Sequence, residues 1–336
     1  MVWVQLVICL AIIILAGTRL AKYGDLIAEK TGVGRVWVGV VLLAAVTSLP
    51  ELATGISSVT FVQEPDLTVG NVFGAGLINL AIIAAIDLIY TRGPALHYLG
   101  TGLVLSAVLS VVLIASAATF LFLAQNLLTI AIFGRIGVYS ILLFGTFLVA
   151  QYMIFRFQTN KNEINNENTQ TSSKGQDISL KRVITFFTLA ALVTFGAGTW
   201  LAIIGDQIAE TTGLETSFVG TLFLAICTTS PEIIVSLSAA RMGSVEMAVG
   251  NVIGSNIFNI GVILFIDDLF YSAGPILQGV SMNHAITALF VILMSCTVII
   301  GIIFRPQFWF RAWVGLDTTI LTFIYIGAIL TIFYLG

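Results

Sequence analysis

Long apolar stretches alternate with short polar breaks along the whole chain, and the stretches have membrane-crossing length. A bilayer core takes roughly 20 apolar residues per helix. Ten segments meet that length: 3–22, 34–62, 67–91, 98–121, 137–156, 183–204, 215–240, 246–271, 284–304 and 315–335. The approach to the fifth is interrupted by Arg135. The first has no basic segment before it and no clear cleavage site after it, so it reads as a retained span and not as a signal peptide. One stretch breaks the rhythm. Residues 158–182, QTNKNEINNENTQTSSKGQDISLKR, are too polar to bury a core and are expected to form a disordered linker. The pattern predicts an all-α polytopic membrane protein with a first five-helix repeat over 1–157, a cytoplasmic linker over 158–182 and a second five-helix repeat over 183–336.

Composition agrees with this reading. The chain is 58% hydrophobic and 9% charged, with a mean hydropathy of +1.05, a balance no soluble domain of this size carries. The net charge of −3 says little; the placement of the basic residues says more. With the N-terminus outside, the cytoplasmic side receives Arg19, Lys22, Lys30, Arg35, Arg92, Arg156, Lys161, Lys174, Lys181, Arg182, Arg241, Arg305 and Arg311, leaving only Arg135 outside. The positive-inside rule then puts both termini outside and the linker inside a plasma (inner) membrane. Cys9, Cys227 and Cys296 are far apart in apolar stretches, with neither metal spacing nor a disulfide framework. His97 and His284 read as isolated interfacial residues.

The two units repeat each other. A shift of 181 places AGTRLAKYGDLIAEKTG (16–32) on AGTWLAIIGDQIAETTG (197–213), Pro50 on Pro231 and Glu51 on Glu232. A shift of 180 then places Gly70, Asn71, Gly74 and Asn79 on Gly250, Asn251, Gly254 and Asn259. Five spans per unit is an odd number, so the second unit enters the membrane upside down, as in the inverted repeats of secondary transporters.

The chemistry lies in two duplicated segments, 42–80 and 223–260. Each has a proline, which removes a helical donor and frees the carbonyl of Val46 or Cys227. Broken backbone at membrane depth survives where it is buried in protein or lines a polar cavity. Thr47 and Ser48, or Thr228 and Thr229, add hydroxyls beside the break, and Glu51 or Glu232 adds a charge. A lone carboxylate at that depth costs about 3 kcal/mol on insertion scales, so it is expected to face an ion or a partner. Asn79 and Asn259 offer amide oxygens from the next span, and Ser255 a hydroxyl that its counterpart Ala75 lacks. The set is all oxygen, suited to Ca²⁺ and Na⁺ and not to zinc or copper. The glycines of these segments allow close helix approach. Asp25 and Asp206, near the ends of spans, read as caps or as residues solvated at the interface, and Glu64, Asp66 and Glu246 as solvated loop residues. Asp267 and Asp268 end a span facing the outer side and carry no assigned role.

TSLPEL…GNVFGAGLIN and TTSPEI…GNVIGSNIFN resemble the paired alpha-repeat signatures of the calcium/cation antiporter superfamily, most closely its prokaryotic sodium/calcium exchangers. The resemblance covers nearly the whole chain. It implies that Glu51, Glu232, Asn79 and Asn259 form a central ion site. It further implies that Thr47, Ser48, Thr228, Thr229, Ser255 and the carbonyls of Ala44 and Ala225 line flanking sodium sites, and that the first and sixth spans slide across the other eight. The chain departs from the family at Ala75 and Thr229, where serine is usual, and at Asn259, often aspartate in sodium-coupled members. Its linker of about 25 residues is too short for the calcium-sensing insert of animal exchangers.

The expectation is a secondary antiporter of Ca²⁺ against Na⁺, working as a monomer in the lipid bilayer, with no cofactor and no nucleic-acid partner. The alternative is H⁺ in place of Na⁺. A cation channel would show a filter-like repeat, and an enzyme a catalytic dyad; neither pattern occurs in the spans.

Overall fold

The computed structural model describes residues 2–90, 93–126, 131–132, 136–166, 178–212, 225–305, 309–311 and 314–335. The helices are α1 (Val2–Thr31), α2 (Arg35–Val62), α3 (Pro65–Ile89), α4 (Thr101–Asn126), α5 (Val138–Asn166), α6 (Leu180–Thr212), α7 (Ser230–Arg241), α8 (Val245–Phe270), α9 (Asn283–Phe304) and α10 (Leu316–Leu335). Nine of these, among the described residues, are long and apolar enough to cross a membrane. The seventh expected span begins outside the described residues; its described part is a helical turn over 225–228 followed by α7. Arg135 also lies outside them. Helix α5 continues to Asn166 and α6 begins at Leu180, so helix enters both ends of the stretch read as a linker, whose middle is not described.

The all-α expectation is departed from at two points. Ala131–Ile132 (β1) pairs antiparallel with Ile136–Gly137 (β2), and Trp309–Arg311 (β3) with Val314–Gly315 (β4). Each small hairpin leads into the last helix of its half, one place where the repeat is visible only in the fold.

The halves are locked by reciprocal clamps. Asp87, near the end of α3, accepts hydrogen bonds from the N–H of Ala95 (2.5 Å), the N–H of Gly315 (3.2 Å) and the hydroxyl of Thr318 (2.6 Å). Asp268, near the end of α8, does the same with the N–H of Ile276 (2.7 Å), the N–H of Gly137 (2.8 Å) and the hydroxyl of Ser140 (2.6 Å). Each aspartate thus caps the start of the other half's last helix, as an inverted pair requires. Asp267 and Asp268 are buried, not turned to the outer solvent: several donors converge on Asp268, and Asp267 packs between helices.

Within this frame α2 and α8 touch backbone to backbone. A Cβ at Gly39 would stand 3.0 Å from the backbone N of Asn251, and one at Gly254 would overlap the backbone of Val40. Helices α1 and α6 pack on each other, partly in the main core through Leu20 and Ala21 of α1 and Val183 and Phe187 of α6, and partly outside it. Their cluster of Cys9, Ile13, Ala197, Leu201 and Ile204 joins Cys227, and the Cys9 thiol donates to the carbonyl of Ala197 at 3.0 Å.

Candidate functional site

Helix α2 is interrupted at Ser48 (φ −85°, ψ 6°), after a segment ending at Thr47 and before a segment starting at Leu49. Thr229 (φ −79°, ψ 0°) marks the same point ahead of α7. Pro50 and Pro231 lie in the first turn of the restarted helix. There a missing N–H sacrifices no helical bond of the new segment, and the fixed φ suits its start. Glu51 and Glu232 follow in that same turn, where the positive end of the helix dipole favours a carboxylate. The preceding segment ends on carbonyls, the negative end. Oxygen therefore gathers at each break from both directions. A stretch of wide, π-type helix precedes the first break over Val38–Leu43 and another runs over Asn259–Ile263, a distortion often found at functional positions.

The two breaks meet at the middle of the molecule. Glu51 is 1% exposed and Glu232 0%, with Thr47, Ser48, Thr228, Thr229 and Ser255 all buried around them and Asn79 and Asn259 beside them. Bonds cross between the halves. Ser48 donates to Oε1 of Glu232 at 3.0 Å, Thr47 to Oδ1 of Asn251 at 3.3 Å and Thr228 to Oδ1 of Asn71 at 3.3 Å. Asn79 Nδ2 donates to Asn256 Oδ1 at 3.0 Å. The last four asparagine positions include three, Asn71, Asn251 and Asn256, that the sequence reading did not place in the site. The repeat of Asn71 onto Asn251 was the available signal.

The halves are not equivalent here. Glu232 Oε1 accepts from Ser48 and, at 3.3 Å, from Ser255. Neither oxygen of Glu51 accepts a well-formed hydrogen bond, although the Thr228 and Thr229 hydroxyls lie beside its carboxylate. The repeat mate of Ser48 is Thr229, whose hydroxyl turns back to the Ala225 carbonyl at 2.6 Å; the mate of Ser255 is Ala75. The Ala225 carbonyl also takes the Thr228 hydroxyl (3.1 Å), and that of Ala44 takes the N–H of Ser48 (3.0 Å).

Counting what remains, both oxygens of Glu51, Oε2 of Glu232, Oδ1 of Asn79 and Oδ1 of Asn259 are buried without a partner. Neither ion pair among the described residues involves either glutamate. Two carboxylates and two amide oxygens in a dry cluster are a ligand set for a hard cation of charge +2, or for two of charge +1.

Other expected features are placed differently. Asp66 is not a free loop residue and His284 is not isolated: the two pair at 2.8 Å. Asp25 pairs with Arg35 at 2.5 Å and accepts from Ser244 at 2.7 Å, joining α1 to the turn before α8. Nε2 of His97 is buried without a partner. The side chain of Asp206 lies outside the described residues.

A ten-helix inverted repeat with paired carboxylates on broken helices defines a membrane ion carrier. The sequence profile of the sodium/calcium exchanger protein family matches residues 1–153 and 182–335. The chain belongs to that family. It is 27% identical over 346 aligned residues to the sodium/calcium exchanger MaX1 of Methanosarcina acetivorans, covering 94% of this chain and 93% of that protein. It is 24% identical to the inner membrane protein YrbG of Escherichia coli, covering 77% of each. Its fold is shared with the sodium-calcium exchanger NCX_Mj, solved after soaking with 2.5 mM Na⁺ and 0.1 mM Sr²⁺, at a TM-score of 0.72 and 19% identity, covering 98% of this chain and 99% of that one.

Proposed function

We propose that the protein is a secondary antiporter that exchanges Ca²⁺ for Na⁺ across the plasma membrane by alternating access. The observation that carries the reading is the cluster of five buried, unpartnered oxygens on Glu51, Glu232, Asn79 and Asn259. Two carboxylates neutralise one Ca²⁺ or two Na⁺, so the ions compete for the same charge. Burying that charge uncompensated costs several kcal/mol, so the carrier changes sides only when loaded. Thr47, Ser48, Thr228, Thr229, Ser255 and the carbonyls of Ala44 and Ala225 flank the carboxylates as further oxygen ligands. The α1–α6 pair, whose mutual contact includes a small cluster separate from the main core, is the element that slides to open either face. The distribution of basic residues supports termini outside and the linker inside, and the presence of both glutamates in one chain supports a monomer as the working unit.

The test is ⁴⁵Ca²⁺ uptake into proteoliposomes carrying the purified protein, driven by an outward Na⁺ gradient, and in parallel by a pH gradient alone. Uptake with Na⁺ only is expected. Uptake driven by pH only would overturn the sodium assignment, and normal exchange by Glu51→Gln or Glu232→Gln would overturn the site.

A further inference from the structure

Asp267 is a buried carboxylate outside the central cluster and outside the two clamps. Asp267 is 0% exposed. Its Oδ2 accepts the Thr68 hydroxyl of α3 at 2.5 Å, while its Oδ1 has no hydrogen-bond partner. Its carboxylate rests on Gly55 of α2 so closely that a Cβ there would overlap it. Gly55 follows Glu51 by four residues in one helical segment, so the two share a face about 6 Å apart along the axis.

The repeat shows that this arrangement belongs to one end of the molecule. Past the π-type stretch that begins at Asn259 the shift returns to 181, placing Gly93 and Pro94 on Gly274 and Pro275 and the clamp residue Asp87 on Asp268, so that Asp267 falls on Ile86; the same 181 earlier in the chain places Gly55 on Ser236. In the second half, Ser236 accepts from Asn251 Nδ2 at 3.0 Å. In the first half Gly55 offers nothing, Asn71 Nδ2 is left without a partner, and the carboxylate of Asp267 comes in beside the gap. Two departures from the repeat thus coincide in space.

Among the described residues no ion pair reaches Asp267; Arg135, just before β2, lies outside them. The charged group acting on it is Asp268 of its own helix, which takes the Tyr139 hydroxyl of α5 at 3.3 Å; Glu51 lies one turn before Gly55 on α2, and Asp66, paired with His284, two residues before Thr68 on α3. The turn Gln63–Glu64 and the strand β2 bring no basic residue. A buried carboxylate needs a counter-charge. One carboxylate and one hydroxyl match a single positive charge.

We propose that Asp267 binds one monovalent cation, H⁺ or Na⁺, as a station one helical turn from Glu51 on the side of the α2–α3 turn. The inference rests on the reading of Glu51 and Glu232 as the exchange site. Ions reaching or leaving Glu51 on that side pass the station; at the repeat-related position Ile86 provides none.

The first test separates the station from the centre. Full-length protein carrying Glu51→Gln and Glu232→Gln, with and without Asp267→Asn, is melted in detergent across Na⁺ concentration at fixed pH, and across pH with N-methylglucamine replacing Na⁺. A stabilisation by Na⁺ that Asp267→Asn removes identifies sodium; a pH-dependent part that it removes identifies the proton. Identical profiles with and without Asp267→Asn in both series overturn the proposal. The second test uses Asp267→Asn in otherwise native protein in proteoliposomes, and decides the matter if the multiple variants do not melt cooperatively. The half-saturating Na⁺, or the pH dependence of exchange, shifts about fivefold or more at the face of the α2–α3 turn only. No shift, or equal shifts at both faces, overturns it. Because melting requires no transport, a native protein that fails to exchange Na⁺ for Ca²⁺ counts against the proposed function and leaves the melting result to judge Asp267.

Discussion

Ser48 and Thr229 occupy the same place in the two halves, yet removing their hydroxyls should have unequal effects. Ser48 donates to the Glu232 carboxylate across the repeat interface at 3.0 Å, whereas Thr229 donates to a carbonyl of its own helix at 2.6 Å. A hydrogen bond to a charged group contributes about 1.5–3 kcal/mol and one between neutral groups about 0.5–1.5 kcal/mol. At 1.4 kcal/mol per decade, Ser48→Ala should weaken apparent Ca²⁺ affinity by roughly 10- to 150-fold, and Thr229→Ser not at all beyond about threefold. Thr229→Ala should fall between, at about 3- to 10-fold, and act partly on stability because its bond is internal to the helix. The assay is the Ca²⁺ dependence of Na⁺-driven uptake in proteoliposomes, with melting in detergent as the control for folding. Equal losses for Ser48→Ala and Thr229→Ala would refute the claim that the two carboxylates differ in hydroxyl support.

Glu51→Gln and Glu232→Gln should each reduce exchange by at least about 100-fold, while the ion-free melting temperature holds or rises, because a buried charge has been removed. Uptake and melting on the same preparations check both halves of that statement. Gly254→Ala should lower stability by about 1–3 kcal/mol, since its methyl meets the Val40 backbone, which cannot swing aside. Gly145→Ala, with nothing within 4 Å of the added carbon, should be neutral or mildly stabilising by comparison in the same melts. Asp268→Leu should cost about 3 kcal/mol or more, leaving the N–H groups of Gly137 and Ile276 buried and unpaired, and should show as a lower melting temperature.

Much of the site was legible in the sequence because its signals are local and occur twice. A proline followed by a glutamate in an apolar stretch is conspicuous in one copy, and the 181-residue repeat of Glu51 at Glu232 makes it hard to attribute to packing. The expectation of Pro50 as the break was close; the chain turns at Ser48, and the proline starts the next segment, since φ near −65° suits a first turn. What the residues alone did not reveal are bonds between distant positions. Asp87 with Thr318 spans 231 residues and Asp268 with Ser140 spans 128. A span-ending aspartate looks the same in sequence whether it meets water or the other half of the chain.

By itself the sequence showed a polytopic helical membrane protein, the duplication, and the pair of carboxylates in its apolar stretches. Those follow from periodicity, length and the cost of burying charge, all properties of short segments. Only the tertiary structure decided how the halves differ: that Ser48 supports Glu232 while Glu51 accepts no well-formed hydrogen bond, that Asn71, Asn251 and Asn256 join the cluster, and that Asp267 fills the space left by Gly55. These depend on which groups the close approach of α2, α3 and α8 brings within hydrogen-bond reach. That distance is fixed by packing around small residues and not by any spacing along the chain.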